Sequence, residues 1–339
     1  MSKNKIDIID LINKIVWWIP IKKYRDAFRN YLVDKYTKPN IYTPDIPYGY
    51  SLDIDTHNEK VINLYKIRRI EHILIETINR CNGKCSFCPV SVGNEKREYK
   101  KMSSELFNKI IDDLVEIKYK GNVGIFFTNE PFLDDRITEF AKIAKSKLPE
   151  AFIHVLTNGS VLSLEKYKEA YKYLDLILIN NYSKDNKLKD TNKAIYEFCL
   201  KNPEYKEKTI IQMREEEQIL SSRAGNAPNR QDNLKTVPYL CHVPAVQFAI
   251  RPDGKVSLCC CDTYGEMTMG DLTKNSINEI WNSDTYKKLN KLMVKGRNKI
   301  KICKYCDFID YVPDKLEDYT VEEKIKSYKL NNQSILENK

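Results

Sequence analysis

No stretch of the 339-residue sequence runs for 18 apolar residues, so nothing in it reads as a membrane-spanning helix. The N-terminus lacks the basic region, continuous apolar stretch and small-residue cleavage site of a secretion signal, and the expected location is the cytoplasm. No block of basic residues is interleaved with aromatics, which argues against nucleic acid as a partner. The excess of 56 Lys and Arg over 47 Asp and Glu is small. The resulting charge of +9 suits either an anionic substrate, such as a nucleotide-sugar, or a lysine-rich solvated surface. Apolar residues at 42% allow a sizeable core, and the length accommodates one large domain and a small one. Against this background the 10 cysteines stand out. In a chain without a secretion signal they point to metal ligation or catalysis rather than disulfides.

Residues 1–69 read as a helical N-terminal extension. Ile8, Ile9, Ile12, Ile15, Val16 and Ile19 recur at helical spacing, Pro20 interrupts, and Lys22, Lys23, Arg25 and Arg29 follow. Such a helix either lies on a membrane surface, giving peripheral contact at the inner membrane face, or docks on the rest of the protein. The block Trp17-Trp18-Ile19-Pro20 resembles the start of many bacterial surface-polysaccharide proteins. Residues 38–52, with Pro39, Pro44, Pro47 and Gly49, read as a linker. From residue 70 to 235 strands alternate with helices: His72–Thr77, Val123–Thr128, Phe152–Leu156, Asp175–Asn180 and Thr209–Met213 are the expected strands. Five β-α units predict an α/β fold with a partial (β/α) barrel. Residues 236–312 change character, with a hairpin about Pro252-Asp253-Gly254 and one helix from Ser276 through Met293. Residues 313–339 form a polar tail, expected as a surface helix or without fixed structure.

Cys81-Asn-Gly-Lys-Cys85-Ser-Phe-Cys88 follows the first expected strand, where α/β folds place their sites. Three thiolates at this spacing can wrap three corners of a [4Fe–4S] cubane and leave the fourth iron open to a small molecule. No fourth ligand for a closed zinc site lies nearby. The Cys-x3-Cys-x2-Cys run, with Phe87 before the last cysteine, resembles the signature of the radical S-adenosylmethionine (radical SAM) superfamily over residues 70 to about 310. That resemblance implies that the open iron holds S-adenosylmethionine, that its reductive cleavage yields a 5′-deoxyadenosyl radical, and that an external donor such as flavodoxin or ferredoxin supplies electrons. The family's Gly-Gly-Glu segment, which holds the cofactor's amino group, is here Thr128-Asn129-Glu130, so Glu130 is the candidate without the glycines. Asn158, Asn180 and Arg214, at or beyond strand carboxyl ends, are further candidates for cofactor contact.

Cys241, Cys259, Cys303 and Cys306 form a second set, which the hairpin and the Cys-x2-Cys pair bring together. Four thiolates fill every site of a [4Fe–4S] cluster, and they suit a structural zinc as well. Gly254-x4-Cys favours Cys259 over Cys260 and Cys261 as the ligand. A spare thiol at Cys260 or Cys261 is either a hydrogen-atom donor or a buried small hydrophobe, and Cys199 reads as inert core. The layout resembles the SPASM/twitch auxiliary-cluster domain of many radical SAM enzymes, in the short form with one auxiliary cluster. It is similar in spacing to radical SAM dehydrogenases that oxidise the aminocyclitol 2-deoxy-scyllo-inosamine. This implies two [4Fe–4S] clusters, a sugar or aminocyclitol-like substrate, oxidation with the second cluster as electron acceptor, and a place in surface-polysaccharide or natural-product biosynthesis. It also carries to Arg223 a role at the substrate, physically a clamp on anionic or hydroxyl groups. Peptide maturation and epimerisation through Cys260 or Cys261 are the alternatives.

Overall fold

The computed structural model describes residues 53–233, 237–309, 319–332 and 334–337, with isolated positions at 15, 16, 22, 24, 25, 28, 29, 312 and 316. The chain divides into two units, Met1–Thr43 and Pro44–Lys339. In the first, the described positions are helical, with Val16 buried and Ile15, Tyr24 and Phe28 exposed. The rest of the expected apolar stripe, and the linker at 38–52, lie outside the described residues.

The second unit is built on one eight-stranded sheet in the order β5-β4-β3-β2-β1-β6-β7-β8. Its strands are β1 (His72–Ile75), β2 (Asn122–Gly124), β3 (Phe152–Thr157), β4 (Leu176–Ser183), β5 (Thr209–Glu215), β6 (Gln247–Ile250), β7 (Lys255–Ser257) and β8 (Thr268–Asp271). From β5 to β6 every pairing is parallel, and β7 and β8 add antiparallel at the far edge. The expected fold class is observed, with one difference. The first strand of the anticipated hairpin pairs parallel with β1, from His72 opposite Gln247 to Ile75 opposite Ile250, and so continues the barrel sheet instead of starting a separate one. A strand order of this kind has no local sequence signal, because only tertiary pairing decides which strand lies beside β1.

Helices α1 (Ile54–Ile67), α2 (Ser104–Glu116), α3 (Ile137–Lys147), α4 (Leu164–Tyr171) and α5 (Asp190–Lys201) precede or connect the parallel strands. The Ser103 and Ser163 hydroxyls cap α2 and α4 by accepting from Leu106 N and Lys166 N. On α2 the residues Phe107, Ile110, Ile111 and Leu114 are fully buried against the sheet. Burial of each stabilises the fold by about 1.5–3 kcal/mol. After the short α6 (Val243–Val246), the helix expected as one piece from Ser276 is two, α7 (Ile277–Trp281) and α8 (Asp284–Met293). Ser283 breaks it, since its hydroxyl caps a new helix by accepting from Tyr286 N.

The tail holds α9 (Val321–Asn331), opened by a Thr320–Glu323 capping box. It is a surface helix with none of its residues fully buried, and one side of it is packed. Val321, Ile325 and Tyr328 pack on Phe152, Leu176, Leu178 and Ile210, a cluster on the sheet face turned away from α2 to α5. Beyond it the chain docks beside β5: Ile335 N donates to Ile211 O at 3.0 Å, and Ile211 N donates to Ser334 Oγ at 3.2 Å. Three apolar positions in an otherwise polar segment make too narrow a stripe to be read as a packing face from sequence.

Candidate active site

The first cysteines stand on a loop that β1 launches and the chain closes behind them. Ile78 bridges to Lys101, Asn79 N donates to Lys100 O at 3.2 Å, and Lys100 N donates back to Asn79 Oδ1 at 2.8 Å. Inside the loop, Cys88 N donates to Cys85 O at 3.1 Å and Gly83 N to Cys81 Sγ at 3.3 Å. A Cβ at position 83 would stand in ordinary contact with both sulfurs, 3.4 Å from Cys81 Sγ and 3.8 Å from Cys85 Sγ, so Gly83 faces the cradle they share. Burial pushes the Cys81 and Cys85 thiols up to about 12. As free thiols they keep their protons, and only a cationic centre displaces them.

A cavity of about 110 Å³ opens beside this loop. Cys81, Cys85 and Cys88 line it together with Glu130, Asn158, Asn180 and Arg223, so most of the expected site residues meet in one place. Arg214 does not line it; its Nε donates to Gln218 Oε1 at 3.3 Å. Glu130 is 1% exposed. Its carboxylate accepts from Thr157 Oγ1 at 2.6 Å, Asn158 N at 2.7 Å and Phe132 N at 3.1 Å. Burial nevertheless raises it to about 7, against the downward pull of those three bonds. The Thr-Asn-Gly segment is therefore more than a turn: its backbone aims Glu130. Without the glycines, the Thr128-Asn129 path is held by side chains. Asn129 Oδ1 accepts from Phe127 N at 3.0 Å, and Thr128 Oγ1 donates at 2.8 Å to the buried Glu76, which Arg97 pairs at 2.8 Å. Two buried polar atoms of cavity residues, Asn129 Nδ2 and Asn180 Oδ1, have no partner among the described residues. A cavity with a cationic demand at the sulfurs, an acceptor carboxylate and two unmatched amide groups fits a polar ligand bearing an amino group.

The second set also converges. Cys241, Cys259, Cys260, Cys261, Cys303 and Cys306 line one cage with Ala224, Val243, Pro244, Arg297, Ile302 and Phe308. Cys261 lies inside the cage, its thiol in hydrogen-bond contact with Cys259, Cys260 and Cys306. Cys306 is pulled down to about 6, first by the Cys261 thiol that donates to it and also by Arg297 and the Phe308 and Ala224 N–H groups. Burial raises Cys241 to about 12. Arg297 is itself buried, and its Nε has no acceptor among the described residues. Sulfur donors, apolar walls and an unmatched buried cation fit a negatively charged thiolate-bound centre. Among the described residues no three His, Cys, Asp or Glu side chains are drawn together as for one ion, whereas a cubane spreads its thiolates over four irons.

The cages are joined by Ser222-Arg223-Ala224-Gly225, a turn with φ of 46° at Arg223, 57° at Ala224 and 85° at Gly225. Two successive non-glycine residues in the left-handed region are strained by about 1–3 kcal/mol each and need outside support. Asp307 supplies it. Its carboxylate accepts from Ser222 N at 2.6 Å and Arg230 Nη2 at 2.6 Å, next to Cys306. The turn thus presents Arg223 to the first cavity and Ala224 to the second cage, and the Arg223 guanidinium stands within electrostatic reach of Cys88 on one side and Cys260 and Cys261 on the other. Tyr264 makes a second tie, its hydroxyl donating to Pro89 O at 2.9 Å. Sequence reasoning missed Asn129, Thr157, Arg297 and Asp307. Thr157 was legible as the neighbour of Asn158 at a strand end, while Arg297 sits in a basic stretch that reads as solvated surface.

A model described as the radical SAM superfamily matches residues 75–197, and one described as an iron-sulfur cluster-binding domain, SPASM, matches residues 241–307. Over 253 residues the chain is 25% identical to the S-adenosyl-L-methionine-dependent 2-deoxy-scyllo-inosamine dehydrogenase of Niallia circulans, which spans 74% of this chain and 97% of that protein. The crystal structure of BtrN in complex with AdoMet and 2-DOIA has the same fold, with a TM-score of 0.64 at 22% identity over 74% of this chain and 98% of that one. BtrN in an open conformation gives 0.52 at 20% identity over 71% and 93%. The chain carries a radical SAM domain followed by a SPASM iron–sulfur domain, and it is a radical SAM enzyme homologous to an S-adenosylmethionine-dependent dehydrogenase.

Proposed function

We propose that the enzyme oxidises a carbinol carbon of a hydroxylated small molecule, a sugar or aminocyclitol. In this reading Cys81, Cys85 and Cys88 hold the cluster that binds S-adenosylmethionine, and Cys241, Cys259, Cys303 and Cys306 hold the auxiliary one. When bound, these groups supply a 5′-deoxyadenosyl radical and an electron sink. The chain's own residues do the rest. Glu130 receives the cofactor's ammonium, with Thr157 and the Asn158 N–H fixing its oxygens. Asn180 and Asn129 offer an acceptor and a donor to a polar ligand. Arg223 clamps the substrate's hydroxyl groups and stabilises the alkoxide that forms as the carbinol proton leaves.

The observation that carries this reading is the place of Arg223, lining the first cavity from a turn anchored on the second cage. Cys260 and Cys261 support it in the negative sense. Both line the second cage, and neither lines the cavity where a hydrogen atom would have to be returned. The alignment with an aminocyclitol dehydrogenase over 97% of its length favours the same substrate class. The proposal extends to a flavodoxin or ferredoxin as donor, reaching the first cluster past the exposed Lys84, and to a cytoplasmic protein that touches the inner membrane face through residues 1–43.

The test is turnover by anaerobically reconstituted protein with 2-deoxy-scyllo-inosamine, related cyclitols and nucleotide-sugars, in deuterated water. The expected product is two hydrogens lighter, formed with 5′-deoxyadenosine. A product of unchanged oxidation state carrying carbon-bound deuterium would establish epimerisation instead.

A further inference from the structure

We propose that Arg297 is the built-in counter-ion of the second cysteine cage and raises the reduction potential of the cluster held there. Arg297 is 3% exposed. Its Nη1 donates to Cys306 O at 3.1 Å and its Nη2 to Leu240 O at 3.3 Å, and Nε, also buried, has no acceptor among the described residues. Both partners are neutral carbonyls. A guanidinium taken out of water without a compensating anion costs several kcal/mol, so a buried arginine of this kind is retained only against negative charge. The groups whose negative charge would act on it most are Cys241, Cys306, Cys303 and Cys261, all lining the same cage, once a bound centre holds them as thiolates. The two carbonyls it binds belong to a cage cysteine and to the residue before another, so the side chain is fixed at the cage wall it lines.

Reduction adds one electron and no proton, so the centre becomes more negative by one charge. A fixed cation in a dry wall favours that state, and charge, hydrogen bonds and exposure are the terms that set such potentials. Arg297 therefore makes the second centre a better acceptor, which is what an oxidase of substrate radicals requires. The inference rests on the auxiliary cluster alone, and on the substrate reading only for its purpose.

The experiment uses the full chain with Cys81, Cys85 and Cys88 replaced by Ala, so that only the second cage loads, and follows its reduction by electron paramagnetic resonance in a mediated titration. At the potential where the Arg297 protein is half reduced, R297Q should show a reduced-to-oxidised ratio at least tenfold lower, a midpoint lower by about 59 mV. R297K, which keeps the charge, should recover most of the difference. Coincident midpoints for the Arg297 protein and R297Q would overturn the proposal. Should R297Q fail to retain iron, arginine labelled with ¹⁵N in an Arg223→Gln background decides: a guanidinium nitrogen coupled to the reduced centre supports the counter-ion, and its absence removes it. A cage that takes up zinc in place of iron would also overturn it. Failure to oxidise any hydroxylated substrate would leave the midpoint shift standing, so the two readings fail separately.

Discussion

Glu130 provides the sharpest test of how the first cavity binds its cofactor. Its carboxylate is buried, accepts three hydrogen bonds and has a pKa of about 7. An ammonium can pair only with the ionised form. Below pH 7 each binding event must first remove a proton, so affinity for S-adenosylmethionine should rise about tenfold per pH unit up to 7 and level off above it. Glu130→Gln keeps the shape and removes the charge. Losing a buried charge-assisted hydrogen bond costs about 1.5–3 kcal/mol, so binding should weaken roughly 10- to 150-fold at pH 8 and lose its pH dependence. In the ligand-free protein the sign reverses. The folded pKa stands above the ordinary 4.5, so the protonated form is favoured by folding. That stability is fully present below pH 4.5 and declines by as much as ~3 kcal/mol as pH rises to 7. Calorimetric titration of S-adenosylmethionine into reconstituted protein between pH 6 and 8.5, with melting curves of the ligand-free form, reads both effects. Affinity that is flat across this range in the Glu130 protein, or equal affinity in Glu130→Gln, would refute the assignment.

Replacing Cys81, Cys85 and Cys88 together by Ala should abolish 5′-deoxyadenosine formation, measured chromatographically, while the iron of the second cage remains by metal analysis. Arg223→Gln should lower turnover of a hydroxylated substrate at least 10-fold yet leave substrate-independent cleavage of S-adenosylmethionine in place, a split that equal loss of both activities would contradict. Removing residues 320–339 uncovers Phe152, Leu176, Leu178 and Ile210 and strips the Ser334 and Ile335 bonds from β5. The loss of roughly 1 kcal/mol for each of the three packed α9 side chains should lower the melting temperature by several degrees in differential scanning fluorimetry.

The two cysteine sets, the strand that launches the first of them and the β-α alternation were legible because each is a local pattern. Ligand spacing within a loop is fixed by covalent geometry, and strand or helix periodicity by which face is buried. The spacing of Cys81, Cys85 and Cys88 favoured a cluster over zinc, and Glu130 was named from its place after the second expected strand despite the missing glycines; the structure sets all four at one cavity. The parallel seat of β6 beside β1, the split of α7 from α8 at Ser283, the third hairpin strand β8 and the docking of α9 were not legible. Each is decided by a partner distant in sequence. The same holds for the choice among Cys259, Cys260 and Cys261. Sequence alone favoured Cys259 and left the choice open, and the cage holds all three, with Cys261 in contact with both Cys259 and Cys306. Sequence by itself thus determined which chemistry the chain carries, because metal-binding residues announce themselves by type and spacing. Only the tertiary structure decided which charges face that chemistry. Arg223 and Arg297 look alike in the sequence, two cations among 56. The fold seats Arg223 on a strained turn that lines the first cavity and fixes Arg297 by a pair of carbonyls at the wall of the second cage.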